Sequence, residues 1–370
     1  MTSAKGDDII FLYFERAGRK MKFKEYLIES LKKHPSIMPR DVAKLCYQAA
    51  MGAEHLLMDA SAARKYFDAE FDVTDVRDGE LFECLSDDVC RVDLGAWKKT
   101  GMPKEWLFNM FVGTASVSRG GRDVLEKYLE DADEVIAGIG ENFPLAEWRN
   151  FAEEYRAKGM PAVHHSDAYR ELERPAYRIV DRGFIVCLPI LLAASRIKVE
   201  GDTAAVIAID GRAASGKTTI ADRLARIMSV DVIRADDFFL PPALRTAERL
   251  SEIGGNLHYE RFFDEVLPNV AKPAPFSYGV FDCSIMDIGG ERAIGESRWR
   301  IVEGSYSHHP KFGDYADLRV FCTVDPEEQM RRILARNGER MAARFKNEWI
   351  PMEEKYFLGL GIREGADLVI

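Results

Sequence analysis

The chain has 370 residues, 47% of them hydrophobic and 30% charged, with a net charge of −10. That length exceeds one typical core and implies about two domains of ordinary globular composition. The acidic balance leaves no whole-chain footprint for nucleic acid, and the longest apolar run, Phe184 to Ala194, is shorter than the about 20 residues a bilayer span needs.

The six cysteines, Cys46, Cys84, Cys90, Cys187, Cys283 and Cys322, form no C-x-x-C pair. Reduced thiols in a cytoplasmic protein are therefore expected. Met1 to Asp8 lacks the basic and apolar regions of a signal peptide. No partner membrane is expected, and a homo-oligomer is compatible with the composition.

Residues 1–200 read as a mostly helical domain. Ile9 to Phe14 is a short apolar run, a strand or a helix start. Phe23, Tyr26, Leu27, Ser30 and Leu31 fall at helical spacing up to His34-Pro35. A second helix starts near Pro39, and Val42, Leu45, Cys46 and Ala49 share one face of it. Ser61 to Phe67 is a third, capped by Ser61 or Asp59. Leu81 to Leu94 has room for a short hairpin. Pro103 to Val112, Arg122 to Ile136 and Pro144 to Arg156 are further helices.

The polar content of this half suggests a second site. Glu54, His55, His164 and His165 are candidate ligands or acid–base groups, and Arg91 and Arg178 are candidate anion binders. Capping histidines and surface ion pairs account for the same residues. The spacing matches no metal signature such as H-E-x-x-H. A polar stretch, Lys198 to Thr203, marks the expected boundary, so that residues 201–370 form the second domain.

That domain opens with Ala205 to Asp210, a β-branched run that reads as a buried parallel strand. Gly211-Arg212-Ala213-Ala214-Ser215-Gly216-Lys217-Thr218-Thr219 follows and fits G-x-x-x-x-G-K-[ST]. Ile220, Leu224, Ile227 and Met228 then recur at helical spacing, so the loop has the strand–loop–helix context it requires. Loop amides and the helix start would face phosphates, with Gly211, Ala213, Ala214, Ser215, Gly216, Lys217, Thr218 and Thr219 binding the nucleotide. Lys217 would reach the β- and γ-phosphates of ATP, and Thr218 would hold Mg²⁺.

Val230 to Ala235 is a second strand ending in Asp236-Asp237-Phe238-Phe239. A carboxylate there lies at the ligand edge of a parallel sheet, where it can take a proton from an attacking hydroxyl. Pro275 to Asp282 is extended, a candidate hairpin arm. Trp299 to Gly304 is a third strand with Glu303 at its end, the place of an Mg²⁺-organising carboxylate. Asp317 to Asp325 is a fourth. Pro326 opens a helix that projects Arg331, Arg332, Arg336 and Arg340, as a solvated face or a charge-neutralising lid, and Asn337-Gly338 ends it. Ala366 to Ile370 is the last strand. The fold class is an α/β P-loop NTPase domain, its sheet mainly parallel with helices on both faces, preceded by a mostly α-helical domain.

Gly211 to Thr219, Asp236 to Phe239, Val302-Glu303-Gly304, Val324-Asp325-Pro326 with Arg332 and Arg336, and Ala366 to Ile370 together resemble the uridine kinase-like P-loop kinases, relatives of phosphoribulokinase and pantothenate kinase. The resemblance covers Thr203 to Ile370. It implies that Asp236 is the base, that Glu303 orders Mg²⁺, and that Arg332 and Arg336 contact phosphates. Two departures bear on the acceptor. His258 stands where the nucleoside kinases hold ribose with an Asp, and Phe281 to Met286 offers no histidine for a base. The expected reaction is transfer of a γ-phosphoryl group from Mg-ATP to a hydroxylated small metabolite, a nucleoside first. The alternative is a nucleotide-dependent switch coupled to the helical half.

Overall fold

The computed structural model describes residues 22–53, 59–117, 119–139 and 143–370. The Ile9–Phe14 run and the Glu54-His55 pair lie outside them. The chain divides into two compact units, Met1–Pro189 and Ile190–Ile370.

In the first unit, helices surround a three-stranded antiparallel sheet. Pro39 starts the Pro39–Met51 helix, and the Met38 N–H donates to Asp41 Oδ2 at 3.0 Å. Asp59 caps the Ala60–Val73 helix through the Ser61 and Ala62 amides. The Arg122–Gly138 and Leu145–Ala157 helices bury Leu125, Leu129 and Trp148 against the faces of the first two described helices. Such burial is worth about 25 cal/mol per Å² of apolar surface. The Leu81–Leu94 stretch is a hairpin, with β1 (Phe82–Cys84) antiparallel to β2 (Val89–Asp93). β3 (Tyr177–Asp181) adds to the other edge of β2 and was not expected as a strand. Its sequence, Tyr-Arg-Ile-Val-Asp, is short and flanked by charges, so periodicity alone does not declare it.

The expectation of reduced thiols is corrected at one pair. Cys84 and Cys90 face each other across the hairpin, with Cα atoms 3.9 Å apart, and form a disulfide. The hairpin turn aligns the two sulfurs, a geometry that C-x-x-C spacing does not test. Cys46, Cys187 and Cys322 are buried thiols, and Cys283 is an exposed thiol.

In the second unit, five strands form a parallel sheet in the order β10–β9–β4–β8–β5. These are β4 (Ala205–Gly211), β5 (Val232–Arg234), β8 (Trp299–Glu303), β9 (Leu318–Cys322) and β10 (Leu368–Val369). β4 is central and wholly buried, which explains its unbroken apolar run. Between β5 and β8 in sequence, β6 (Phe276–Asp282) and β7 (Asp287–Ile294) form the expected hairpin. The last long helix, Pro326–Arg344, breaks at Gly338, where φ is 73°, and resumes beyond it. No helix among the described residues is long and apolar enough to cross a membrane.

Candidate active site

Register builds the site. β4 pairs with β8 so that Ile209 lies opposite Glu303, and β5 pairs with β8 so that Arg234 lies opposite the same Glu303. The glycine loop leaves β4 beyond Ile209. The carboxyl ends of three adjacent strands therefore converge on one edge of the sheet, the ligand edge of an open α/β fold.

Gly211 is required by packing. Its φ is 133°, and a Cβ there would stand 2.0 Å from the Cys322 carbonyl oxygen. The Lys217–Met228 helix makes its first internal bond from Ile220 N–H to Gly216 O, 3.0 Å. The amides of Gly216, Lys217, Thr218 and Thr219 are left with no intrahelical acceptor, and they carry the positive end of the helix dipole. Ser215 Oγ is buried without a hydrogen-bond partner. Lys217 is buried and donates to Gly211 O at 2.6 Å and Arg212 O at 2.9 Å. An orphaned hydroxyl, free amides and a buried ammonium fit a polyphosphate.

Thr218 Oγ1 donates to Glu303 Oε1 at 3.0 Å, and Arg234 donates to Glu303 Oε2 at 2.8 Å. Arg234 also pairs with Asp222. One hydroxyl, one carboxylate and the oxygens of a phosphate suit Mg²⁺, which keeps waters and takes few protein ligands. Among the described residues, no group of three or more His, Cys, Asp or Glu side chains forms a metal cage.

The two aspartates after β5 part ways. Asp237 is buried; its Oδ2 accepts from Tyr278 Oη at 3.0 Å and from Arg292 Nε at 2.8 Å. Tyr278 and Arg292 face each other across β6 and β7, so Asp237 pins the hairpin to the strand end. Asp236 is exposed and makes no hydrogen bond among the described residues. Its carboxyl is held above the usual carboxylate range, first by the protein packed around it and then by the Glu303 charge, with Lys217 opposing.

The predicted arginines differ. Arg332 Nη1 donates to Ala214 O at 3.1 Å, which lays it on the glycine loop, while its Nε pairs with Glu328 at 2.7 Å. Arg336 is exposed and bonds Asn337 Oδ1 at 2.9 Å, so it is not brought to the loop. His258 caps the Tyr259–Arg261 turn, and His308 and His309 bond backbone carbonyls of Ala208 and Ile253.

Three supporting groups had no motif. Asp210 accepts from the Gly211 amide, the His308 amide and Tyr356 Oη. Glu353 Oε2 accepts from the Ala213 amide at 2.9 Å and its Oε1 from Ser305 Oγ at 2.8 Å. Burial raises its carboxyl, against the pull of Lys217. Gln329 donates to Ala213 O at 3.0 Å. Asp210 at the strand end was the one discoverable signal; Glu353 and Gln329 lie in helices with no local mark.

In the first unit, His165 and Asp41 are brought together, Nδ1 donating to Oδ1 at 2.9 Å. His164 is exposed. Arg178 is tied to Glu70 at 2.6 Å, whereas Arg91 is buried among neutral partners.

No protein-family model and no curated protein matches the chain. Solved structures do. A candidate uridine kinase from Bacillus stearothermophilus aligns at 20% identity and a TM-score of 0.39, covering 51% of this chain and 96% of that one. A candidate fructose transport system kinase from a Silicibacter species aligns at 21% identity and a TM-score of 0.42, covering 51% of this chain and 98% of that one.

Proposed function

We propose that the second unit transfers the γ-phosphoryl group of Mg-ATP to a hydroxyl of a small metabolite, with a nucleoside such as uridine or cytidine as the first acceptor class. The observation that carries this reading is the uncommitted carboxylate of Asp236 at the ligand edge, beside a glycine loop whose donors suit a polyphosphate. A switch needs no such acid.

Lys217 and the amides from Gly216 to Thr219 bind and orient the phosphates, an arrangement that lowers the barrier by positioning and charge stabilisation. To serve them, the Lys217 ammonium swings from the loop carbonyls it now holds. Thr218 and Glu303 would hold Mg²⁺, which would neutralise charge on the phosphate oxygens. Asp236 accepts the acceptor hydroxyl's proton as that oxygen attacks; its raised basicity brings it nearer the optimum for a base at neutral pH. Arg332 adds positive charge over the loop at Ala214.

The test is ADP release over a panel of nucleosides, sugars and other hydroxylated metabolites, with Lys217→Ala as control. Acceptor-stimulated turnover lost in Lys217→Ala supports the reading. Nucleotide binding with no acceptor that stimulates turnover would sink it.

A further inference from the structure

The first unit holds a cavity of about 290 Å³ among Lys33, His34, Glu83, Arg91, Tyr169 and Tyr177. It lies at the small end of ligand pockets. Its acids are largely spoken for. Glu83 pairs with Lys33, Glu173 with His34 at 2.8 Å, and Asp93 with Arg77.

Arg91 is the exception. It is 6% exposed, and its bonds run to Gln48 Oε1, from Nε and Nη2, and to Tyr26 Oη, from Nη1. Among the described residues, no carboxylate lies within ion-pair distance of it. A guanidinium has five N–H donors, so two remain beyond those three bonds. Burying an unpaired charge is costly, and the cost falls when a counter-charge arrives.

The surroundings keep that guanidinium fixed. Tyr177 lies beneath it, 4.3 Å from ring centre to Cζ. Tyr177 Oη donates to His165 Nε2 at 2.7 Å, and the His165 Nδ1–H donates to Asp41. Gln48 Nε2 donates to Tyr177 Oη at 3.1 Å. Burial first, then the nearby Lys44 and Arg91 charges, push the His165 imidazole down to about 4, so it stays neutral and can accept from Tyr177. Asp41, Lys44 and Gln48 share one face of their helix. Lys44 likewise has no ion pair among the described residues, and its ammonium is drawn down to about 8, by burial first and then by Arg91 and Arg170. Asp41 and Glu70 oppose this more weakly.

We infer that this cavity is a second ligand site, distinct from the glycine loop, that takes the phosphate or carboxylate group of a small molecule on the free N–H groups of Arg91. The planar fork suits either oxyanion.

The test is calorimetric titration of the full chain carrying Lys217→Ala, which disables the glycine loop, with inorganic phosphate and separately with succinate at constant ionic strength. Saturable binding of either anion, weakened at least tenfold by Arg91→Met, is expected; the anion that binds tells phosphate from carboxylate. No saturable binding of either, or binding that survives Arg91→Met, overturns the inference. A selenate-soaked crystal of the unmodified chain tests it without a variant. An anomalous peak within hydrogen-bond reach of Arg91 supports the site, and peaks only elsewhere overturn it.

Discussion

Asp236 and Asp237 are neighbours in sequence, yet only Asp237 is bonded: Tyr278 and Arg292 hold it, while Asp236 has no hydrogen-bond partner among the described residues. The two should therefore separate under mutation. Asp237→Asn removes the charge that pairs with Arg292 and weakens the acceptor of the buried Tyr278 hydroxyl, and is expected to cost about 1–3 kcal/mol in urea denaturation. Asp236→Asn should leave stability at neutral pH unchanged or raised. The sign follows from its raised carboxyl: ionisation is disfavoured in the fold, so the stabilising contribution is present at low pH and lost as pH rises through the folded value. Equal losses in the two variants would contradict the division.

The same shift sets a pH dependence of turnover. The base must be ionised, so activity should climb on the acid side through a pKa above the ordinary Asp value of about 4. Glu303 is the second cause of the rise, after the loss of water around the carboxyl at the packed strand end. Glu303→Gln should move the acid limb to lower pH in the activity that remains. A limb that stays put would assign it to another group.

Glu353 reaches the glycine loop from a helix 140 residues away and accepts the Ala213 amide. Glu353→Ala should release the loop at a cost of about 1–3 kcal/mol and weaken nucleotide binding severalfold by titration calorimetry. Tighter binding would mean that Glu353 competes with phosphate for the amide instead of shaping the loop.

The Cys84–Cys90 disulfide closes a loop with a sequence separation of 6. Loop-closure entropy for so short a span is worth about 2 kcal/mol. Urea denaturation with and without reductant should show that loss for the first unit's transition, and Cys84→Ser should reproduce it without reductant. Coincident curves would show that the hairpin needs no link.

What could be read from the chain is what is contiguous. The glycine loop, Asp236 and Glu303 each sit at the end of an apolar strand, and parallel pairing turns three separate strand ends into one site. The groups that were missed act across distance. Tyr278 and Arg292 reach Asp237 from 41 and 55 residues away, and His165 meets Asp41 from 124. Charge and spacing carry no mark of such partners. Arg91 and Arg178 read alike in sequence; Glu70, on the Ala60–Val73 helix, pairs with only Arg178.

The measurement that bears most directly on the central claim is acceptor-dependent ADP formation by the unmodified chain and by Asp236→Asn, with ATP affinity measured in both. Some hydroxylated acceptor should stimulate the unmodified chain, and Asp236→Asn should lower that rate by about 10²–10⁴-fold while ATP binding is kept. Equal rates in the two proteins, or turnover that no acceptor changes, would contradict it.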